Sequence, residues 1–127
     1  MLKIEVIIKQ FQKAVQRLDE VLQEKKTNIV RDSAIQRFEF TFDLAWKTIK
    51  AFLEDNQGLS CLSPKDCFKE AFRQKLIDYE DIWLDVLSLR NKTVHTYNEK
   101  LAEEVYSHLF KILPYFQKLL EKIKSRI

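Results

Sequence analysis

Apolar residues recur at helical spacing along most of the chain. From Leu2 to about Glu24 they fall three or four positions apart, which predicts one face of an amphipathic helix. A second stretch runs from Asn28 or Asp32 to Asp55. Its apolar surface is so broad and aromatic that we expect cover on more than one side, with the phenylalanines and Trp46 in the core. This surface consists of Ile35, Phe38, Phe40, Phe42, Leu44, Ala45, Trp46, Ile49, Phe52 and Leu53.

Residues typical of helix ends follow the second stretch. Asn56-Gln57-Gly58 predicts its end, with Gly58 in the left-handed conformation that glycine adopts easily. Ser63 and Pro64 are typical of the N-cap and the first position of a helix, so a short third helix begins there.

Two further helices complete the predicted fold. The fourth begins near Asp78 or Glu80, and the fifth runs from Leu101 to about Lys124 with a bend at Pro114, which lacks an N–H. Four long helices and one short helix, joined by short loops, predict an all-α, up-down four-helix bundle. At 127 residues we expect a single domain over residues 1–127.

Composition excludes several classes of protein. A single glycine is too few for the turns of a β-rich fold. It also excludes the glycine-rich loops of a P-loop or a Rossmann fingerprint, which hold nucleotide phosphates. The formal net charge of +3 tolerates a polyanionic partner without requiring one. No apolar run approaches the ~18 residues that span a bilayer, and the first residues lack the apolar region of a signal peptide. We therefore expect a cytoplasmic protein with no membrane partner.

Cys61 and Cys67 fit neither a zinc site nor a CxxC redox pair. We expect both to be reduced, partly buried thiols, as is usual in the cytosol. With only two histidines in the chain, the sequence predicts no metal site and no cofactor.

The segment 90–97 concentrates the candidate chemistry, with Arg90, Asn91, His95 and Tyr97 within about two helical turns. Arg90 and His95 lie about 140° apart on a regular helix, so one straight helix cannot direct both at a small target. Either the helix ends or distorts between them, or a second copy of the chain completes the site.

These residue types suit chemistry on a phosphodiester. Arginine holds phosphate, and histidine both takes and gives a proton near neutral pH. RNA cleavage without metal needs a base, an acid and a cation, and a dimer would supply two histidines. An Arg–His pair on a helix is nevertheless more often a surface or packing feature.

Polar residues also interrupt the second helix, at Arg31, Arg37, Glu39 and Asp43. Glu39 and Asp43 are one turn apart and could hold Arg90, while a surface network of these side chains is equally compatible with the sequence.

The pattern Arg90-Asn91-x-x-x-His95-x-Tyr97, late in a helical chain, resembles the HEPN superfamily. The stretch 31–47 narrows the similarity to its HepT-type branch, the nucleotidyltransferase substrate-binding protein family. The resemblance implies a homodimeric toxin that cleaves RNA and is neutralised by an MntA-like nucleotidyltransferase antitoxin. It implies that Arg90 and His95 are catalytic, that Asn91 supports them, and that the partner transfers AMP to Tyr97.

Two other functions remain compatible with the sequence. The chain could be a non-catalytic subunit that binds substrate for a nucleotidyltransferase, or a helical adaptor without an active cleft. It is not the transferase itself, because it lacks a Gly-Ser loop with paired aspartates.

Overall fold

The computed structural model describes residues 3–127, which form five α-helices and one 3₁₀ turn. The elements are α1 (Lys3–Leu22), α2 (Asn28–Gln57), α3 (Pro64–Arg73), α4 (Glu80–Lys92), the turn Thr93–His95 and α5 (Glu99–Ser125). α1, α2 and α5 pack against one another, while α3 and α4 pack together against α2. The predicted all-α class, with four longer helices and a short one, is confirmed. The predicted start of α1 at Leu2 lies outside the described residues.

Helix ends follow the capping signals of the sequence. Gly58 ends α2 in the left-handed conformation, at φ 64°, as predicted. Ser63 caps α3 by accepting a hydrogen bond from the backbone N–H of Asp66. α5 begins two residues earlier than predicted because the Asn98 side chain accepts a hydrogen bond from the N–H of Leu101. No helix among residues 3–127 has the length and apolarity needed to cross a bilayer.

An aromatic cluster joins all five helices at the centre of the bundle. Phe116 of α5 lies 6.4 Å from Phe11 of α1, 6.2 Å from Phe38 of α2 and 5.5 Å from Trp83 of α4, measured between ring centroids. Phe68 of α3 stacks on Trp83 at 5.0 Å. Because one buried ring contacts three other helices, this cluster fixes the mutual positions of the helices.

The prediction that every phenylalanine of α2 lies in the core was wrong for Phe40. Its side chain is 49% exposed, whereas Phe38 and Phe42 on either side of it are buried. Two residues turn a helix by about 200°, so Phe40 points away from the core that holds Phe38. Trp46 is only partly buried. α2 therefore presents part of its aromatic surface to solvent.

The expectation of two free thiols was also wrong. Cys61 and Cys67 are both buried and form a disulfide, with their Cα atoms 5.1 Å apart. The first turn of α3, which begins at Pro64, returns the chain toward Cys61. Sequence spacing did not reveal this proximity because it depends on the turn that Ser63 caps.

Candidate functional site

The segment that carries the candidate chemistry lies where α4 ends. The α-helix stops at Lys92 and continues as the 3₁₀ turn Thr93–His95, so the helix distorts between Arg90 and His95. Thr93 is buried and its hydroxyl donates to the backbone oxygen of Arg90 at 2.7 Å. The same hydroxyl accepts a hydrogen bond from Nη1 of Arg90 at 2.8 Å. Thr93 thus fixes both the backbone at the helix end and the arginine side chain.

Two carboxylates of α2 hold the Arg90 guanidinium. Nη1 lies 3.3 Å from Oε2 of Glu39, and Nη2 lies 3.6 Å from Oδ2 of Asp43. The two carboxylates fall on one face of α2 because they are four residues apart. We call Arg90, Glu39 and Asp43 the arginine clamp. It orients Arg90 and leaves 22% of its side chain exposed.

One atom of the clamp is incompletely satisfied. Nε of Arg90 is buried and has no hydrogen-bond partner among residues 3–127. A buried donor without a partner destabilises a fold by roughly 1–3 kcal/mol. Such an exception is characteristic of a side chain placed for function rather than for stability alone.

His95 and Tyr97 form a second group on the solvent side. Tyr97 Oη lies 3.4 Å from Nδ1 of His95, and the two rings meet edge to face at 5.9 Å. Both side chains are exposed, Tyr97 by 83%, and Asn91 is exposed as well. The imidazole is therefore accessible to a substrate from bulk solvent.

A cavity of about 420 Å³ connects these two groups. Its lining includes Glu39 of the arginine clamp and Tyr97 of the exposed pair. The remaining lining residues are Asp32, Ser33, Ile35, Gln36 and Thr96. The depression is thus bordered by one neighbour of each group: Glu39, which binds Arg90, and Tyr97, whose hydroxyl lies 3.4 Å from Nδ1 of His95. A cation that can hold a phosphodiester and an imidazole that can move a proton are each one side chain away from it.

Arg31 belongs to a second network of ion pairs, which lies where the segment 90–97 leads into α5. It is buried, and its guanidinium binds Glu99 at 2.7 Å, Glu103 at 3.0 Å and Asp32 at 3.0 Å. The hydrogen bonds to Glu99 and then Glu103 raise the pKa of Arg31 above its ordinary value. Because Glu99 begins α5, this network fixes the chain directly after Tyr97.

The sequence left the roles of the polar residues of α2 open, and the structure separates them. Glu39 and Asp43 hold Arg90, which is the first of the two alternatives that the sequence left open. Arg37 instead donates from Nη1 to the backbone oxygen of Arg17, at 2.7 Å. Thr93 was missed. Its position three residues after Arg90, one turn along the helix, was the signal that could have indicated it.

The fold and the site together define the class of protein. It is a helical bundle with an arginine in the last turn of its fourth helix and an exposed histidine and tyrosine directly after that helix. The sequence model of the family described as "Nucleotidyltransferase substrate binding protein like" matches residues 7–125. The chain belongs to this family.

Individual relatives agree with that assignment. The chain is 33% identical over 107 residues to a Haemophilus influenzae protein named "Probable ribonuclease HepT", covering 78% of this chain and 73% of the relative. A crystal structure from Thermus thermophilus superimposes with a TM-score of 0.85 at 33% identity, covering 90% of this chain and 98% of the other.

A second solved structure, from Haemophilus influenzae, superimposes with a TM-score of 0.76 at 25% identity. It covers 96% of this chain and 99% of its own. That structure is described as revealing the fold of a substrate binding domain of a nucleotidyltransferase.

Proposed function

We propose that the protein is a metal-independent endoribonuclease, a HepT-like toxin of the HEPN superfamily that a partner nucleotidyltransferase neutralises. The observation that carries the proposal is the arginine clamp beside an exposed imidazole. Glu39 and Asp43 fix Arg90, and Tyr97, whose hydroxyl lies 3.4 Å from Nδ1 of His95, lines the same open cavity as Glu39. The similarity to a protein named as a ribonuclease supports this assignment.

The reaction uses the two side chains in different roles. A neutral His95 takes the proton of a ribose 2′-OH, and the 2′ oxygen attacks the adjacent phosphorus. Arg90 stabilises the negative charge that develops on the phosphorane oxygens. The bond to the 5′ oxygen breaks, and a protonated imidazole gives that oxygen a proton. The products are a 2′,3′-cyclic phosphate and a 5′-hydroxyl.

Base and acid act in the same turnover, and each chain contributes one imidazole to this segment. We therefore propose that a homodimer forms the complete site, with His95 of each copy in one cleft. Mixing wild-type and His95→Ala chains tests the shared site, because a mixed dimer holds one imidazole where the reaction needs two. A verified mixed dimer that does not cleave RNA supports the shared site, and one that keeps half of the wild-type activity contradicts it.

Neutralisation acts at Tyr97. Its phenol oxygen attacks the α-phosphorus of ATP in the partner enzyme, pyrophosphate leaves, and AMP remains on the side chain. The exposed hydroxyl is accessible to another enzyme and lies 3.4 Å from the His95 ring. An anion at that position fills the cavity and repels an RNA phosphate.

A non-catalytic, substrate-binding subunit of a two-chain nucleotidyltransferase is the second candidate. The description of the Haemophilus influenzae structure as a substrate binding domain favours it. In that case Arg90 would bind a phosphate of the substrate, and His95 would act as a hydrogen-bonding residue.

The two functions separate in one assay of RNA cleavage by the purified chain in EDTA. His95→Ala is compared with His108→Ala, which replaces the only other histidine of the sequence, on the exposed surface of α5. Loss of an acid–base group lowers the rate by about 10²–10⁴-fold, so His95→Ala loses cleavage while His108→Ala keeps it.

The other outcomes are equally informative. Equal cleavage by all samples identifies a contaminating nuclease. No cleavage by a chain whose Tyr97 is unmodified, as shown by intact mass, favours the substrate-binding subunit.

A further inference from the structure

α1 and α2 enclose a groove of about 440 Å³ that the proposed reaction does not use. This volume falls within the ~300–1,000 Å³ typical of ligand sites. Each helix contributes residues three or four positions apart, so the groove runs along both helices. It is lined by Gln10, Lys13, Ala14 and Arg17 of α1 and by Arg37, Phe40, Asp43, Leu44 and Lys47 of α2.

The groove combines cationic walls with an aromatic surface. Lys13, Arg17 and Lys47 are exposed, and Arg37 is held in place by its hydrogen bond to the backbone of Arg17. Four cationic side chains thus face one carboxylate within the lining. Phe40 is half-exposed in the same groove. Aromatic rings beside cations are the means by which proteins bind unpaired bases and the phosphates between them.

The groove adjoins the arginine clamp. Asp43 lines the groove and also lies 3.6 Å from Nη2 of Arg90. A chain of phosphates leaving Arg90 would therefore enter the groove within one side chain's length.

We propose that this groove binds single-stranded RNA next to the bond that is cleaved, with a base on Phe40 and phosphates on Lys13, Arg17 and Lys47. This inference rests on the proposed ribonuclease function and extends it to the substrate: the enzyme binds an unpaired strand longer than the dinucleotide at the reacting bond. Paired bases are excluded because their faces are already stacked and do not reach an aromatic ring in a groove.

Charge favours RNA over a second copy of the chain. A two-fold contact through the groove would place the same cationic set against itself, which is unfavourable. A polyanion neutralises that set and releases its own counterions.

Fluorescence anisotropy of a fluorescein-labelled single-stranded RNA tests the aromatic contact. The RNA has about 16 nucleotides, which covers the ~4–16 nucleotides that such binding grooves occupy. The full chain with His95→Ala is used so that the RNA stays intact. Adding Phe40→Ala weakens binding by roughly fivefold or more, the effect of removing one base–aromatic stack. The matched control is Phe110→Ala on α5, because Phe110 is 48% exposed and Phe40 is 49% exposed. Phe40→Trp retains binding, which separates stacking from misfolding.

Salt dependence tests the phosphate contacts. Removing one cation that neutralises a phosphate lowers the slope of log K against log salt concentration by about 0.7 for a single strand. We expect this decrease for Lys13→Ala and for Arg17→Ala. Lys65→Ala, an exposed lysine of α3 outside the groove, leaves the slope unchanged.

The proposed function and the groove fail in different ways. If the wild-type chain cleaves RNA and Phe40→Ala changes neither KM nor binding, the groove proposal is wrong and the ribonuclease stands. If the chain with unmodified Tyr97 does not cleave RNA but binds it through Phe40, the ribonuclease is wrong and the groove is an RNA-binding surface without a cleavage site beside it. If Phe40→Ala changes the oligomeric state instead of RNA binding, the RNA proposal is wrong and the groove is an interface between copies.

Discussion

The arginine clamp allows a direct test of how burial affects an ion pair, because the chain contains a second pair of almost equal length. Nη1 of Arg90 lies 3.3 Å from Oε2 of Glu39, and Nζ of Lys92 lies 3.4 Å from Oε1 of Glu104. The side chains of the first pair are 22% and 30% exposed, and those of the second are 46% and 48% exposed. Distance is thus nearly constant while exposure to solvent differs.

Two unit charges 3.3 Å apart attract by about 5 kcal/mol at an effective dielectric constant of ~20. Desolvation of both groups offsets most of this attraction, and exposed pairs retain only ~0.2–1 kcal/mol. We expect a coupling free energy of about 1–2 kcal/mol for Arg90 with Glu39, which is less exposed. For Lys92 with Glu104 we expect at most about 0.5 kcal/mol.

Double-mutant cycles on the free energy of unfolding measure both couplings. One cycle uses Glu39→Gln, Arg90→Gln and both together, and the control cycle uses Lys92→Gln and Glu104→Gln. Each cycle cancels the effects that a single substitution has on other partners, such as Asp43. Urea unfolding, followed by circular dichroism, supplies the free energies.

A repeat at about 1 M salt sharpens the comparison, because the Debye length then falls to ~3 Å and exposed pairs lose their attraction first. The coupling of Arg90 with Glu39 should persist in part. If it does not exceed that of Lys92 with Glu104 at either salt concentration, burial does not strengthen the clamp and our account of its role in orienting Arg90 is wrong.

Three further predictions concern stability. Phe116→Ala should lower the free energy of unfolding by about 3–5 kcal/mol, because this fully buried ring contacts three others. In the same urea titrations, Phe110→Ala at the surface of α5 should change that free energy by less than ~1 kcal/mol. Hydrogen bonds from Lys26, the larger effect, and from Arg31 lower the pKa of Glu103 below its ordinary value of 4.5. The ionised carboxylate therefore stabilises the fold above pH 4.5, and this contribution is lost as the pH falls through the lowered pKa. Thermal unfolding between about pH 3 and 6 should show a weaker pH dependence for Glu103→Gln, and an unchanged one would contradict the assignment. Reduction of the disulfide, which closes a short loop, should lower the free energy of unfolding by about 2 kcal/mol, an effect absent from a Cys61→Ala, Cys67→Ala variant.

The order and type of the helices were predictable because the signals are local. Apolar spacing, Gly58 at the end of α2 and the Ser63–Pro64 start of α3 each depend on residues within a few positions of one another. Segment 90–97 was recognisable for the same reason, since its residue types and spacing are themselves the signal. Even the break in α4 followed from helix geometry, as one of two alternatives.

Interactions between distant parts of the chain needed the tertiary structure. Glu39 and Asp43 lie far before Arg90 in the sequence, and only the packing of α4 beside α2 decided between a clamp and a surface network. Phe40 was misassigned because its apolar character is equally compatible with a core and a groove. The orientation of α2 against α1 determines which of the two it lines.

The sequence by itself determined the helices, their caps and the identity of the residues at the end of α4, because these depend on dihedral preferences and periodicity within a few residues. The tertiary structure alone decided the partners of Arg90, the exposure of Phe40 and the pairing of Cys61 with Cys67. These features depend on which faces the helices bury against one another, and that choice follows from the packing of the whole chain.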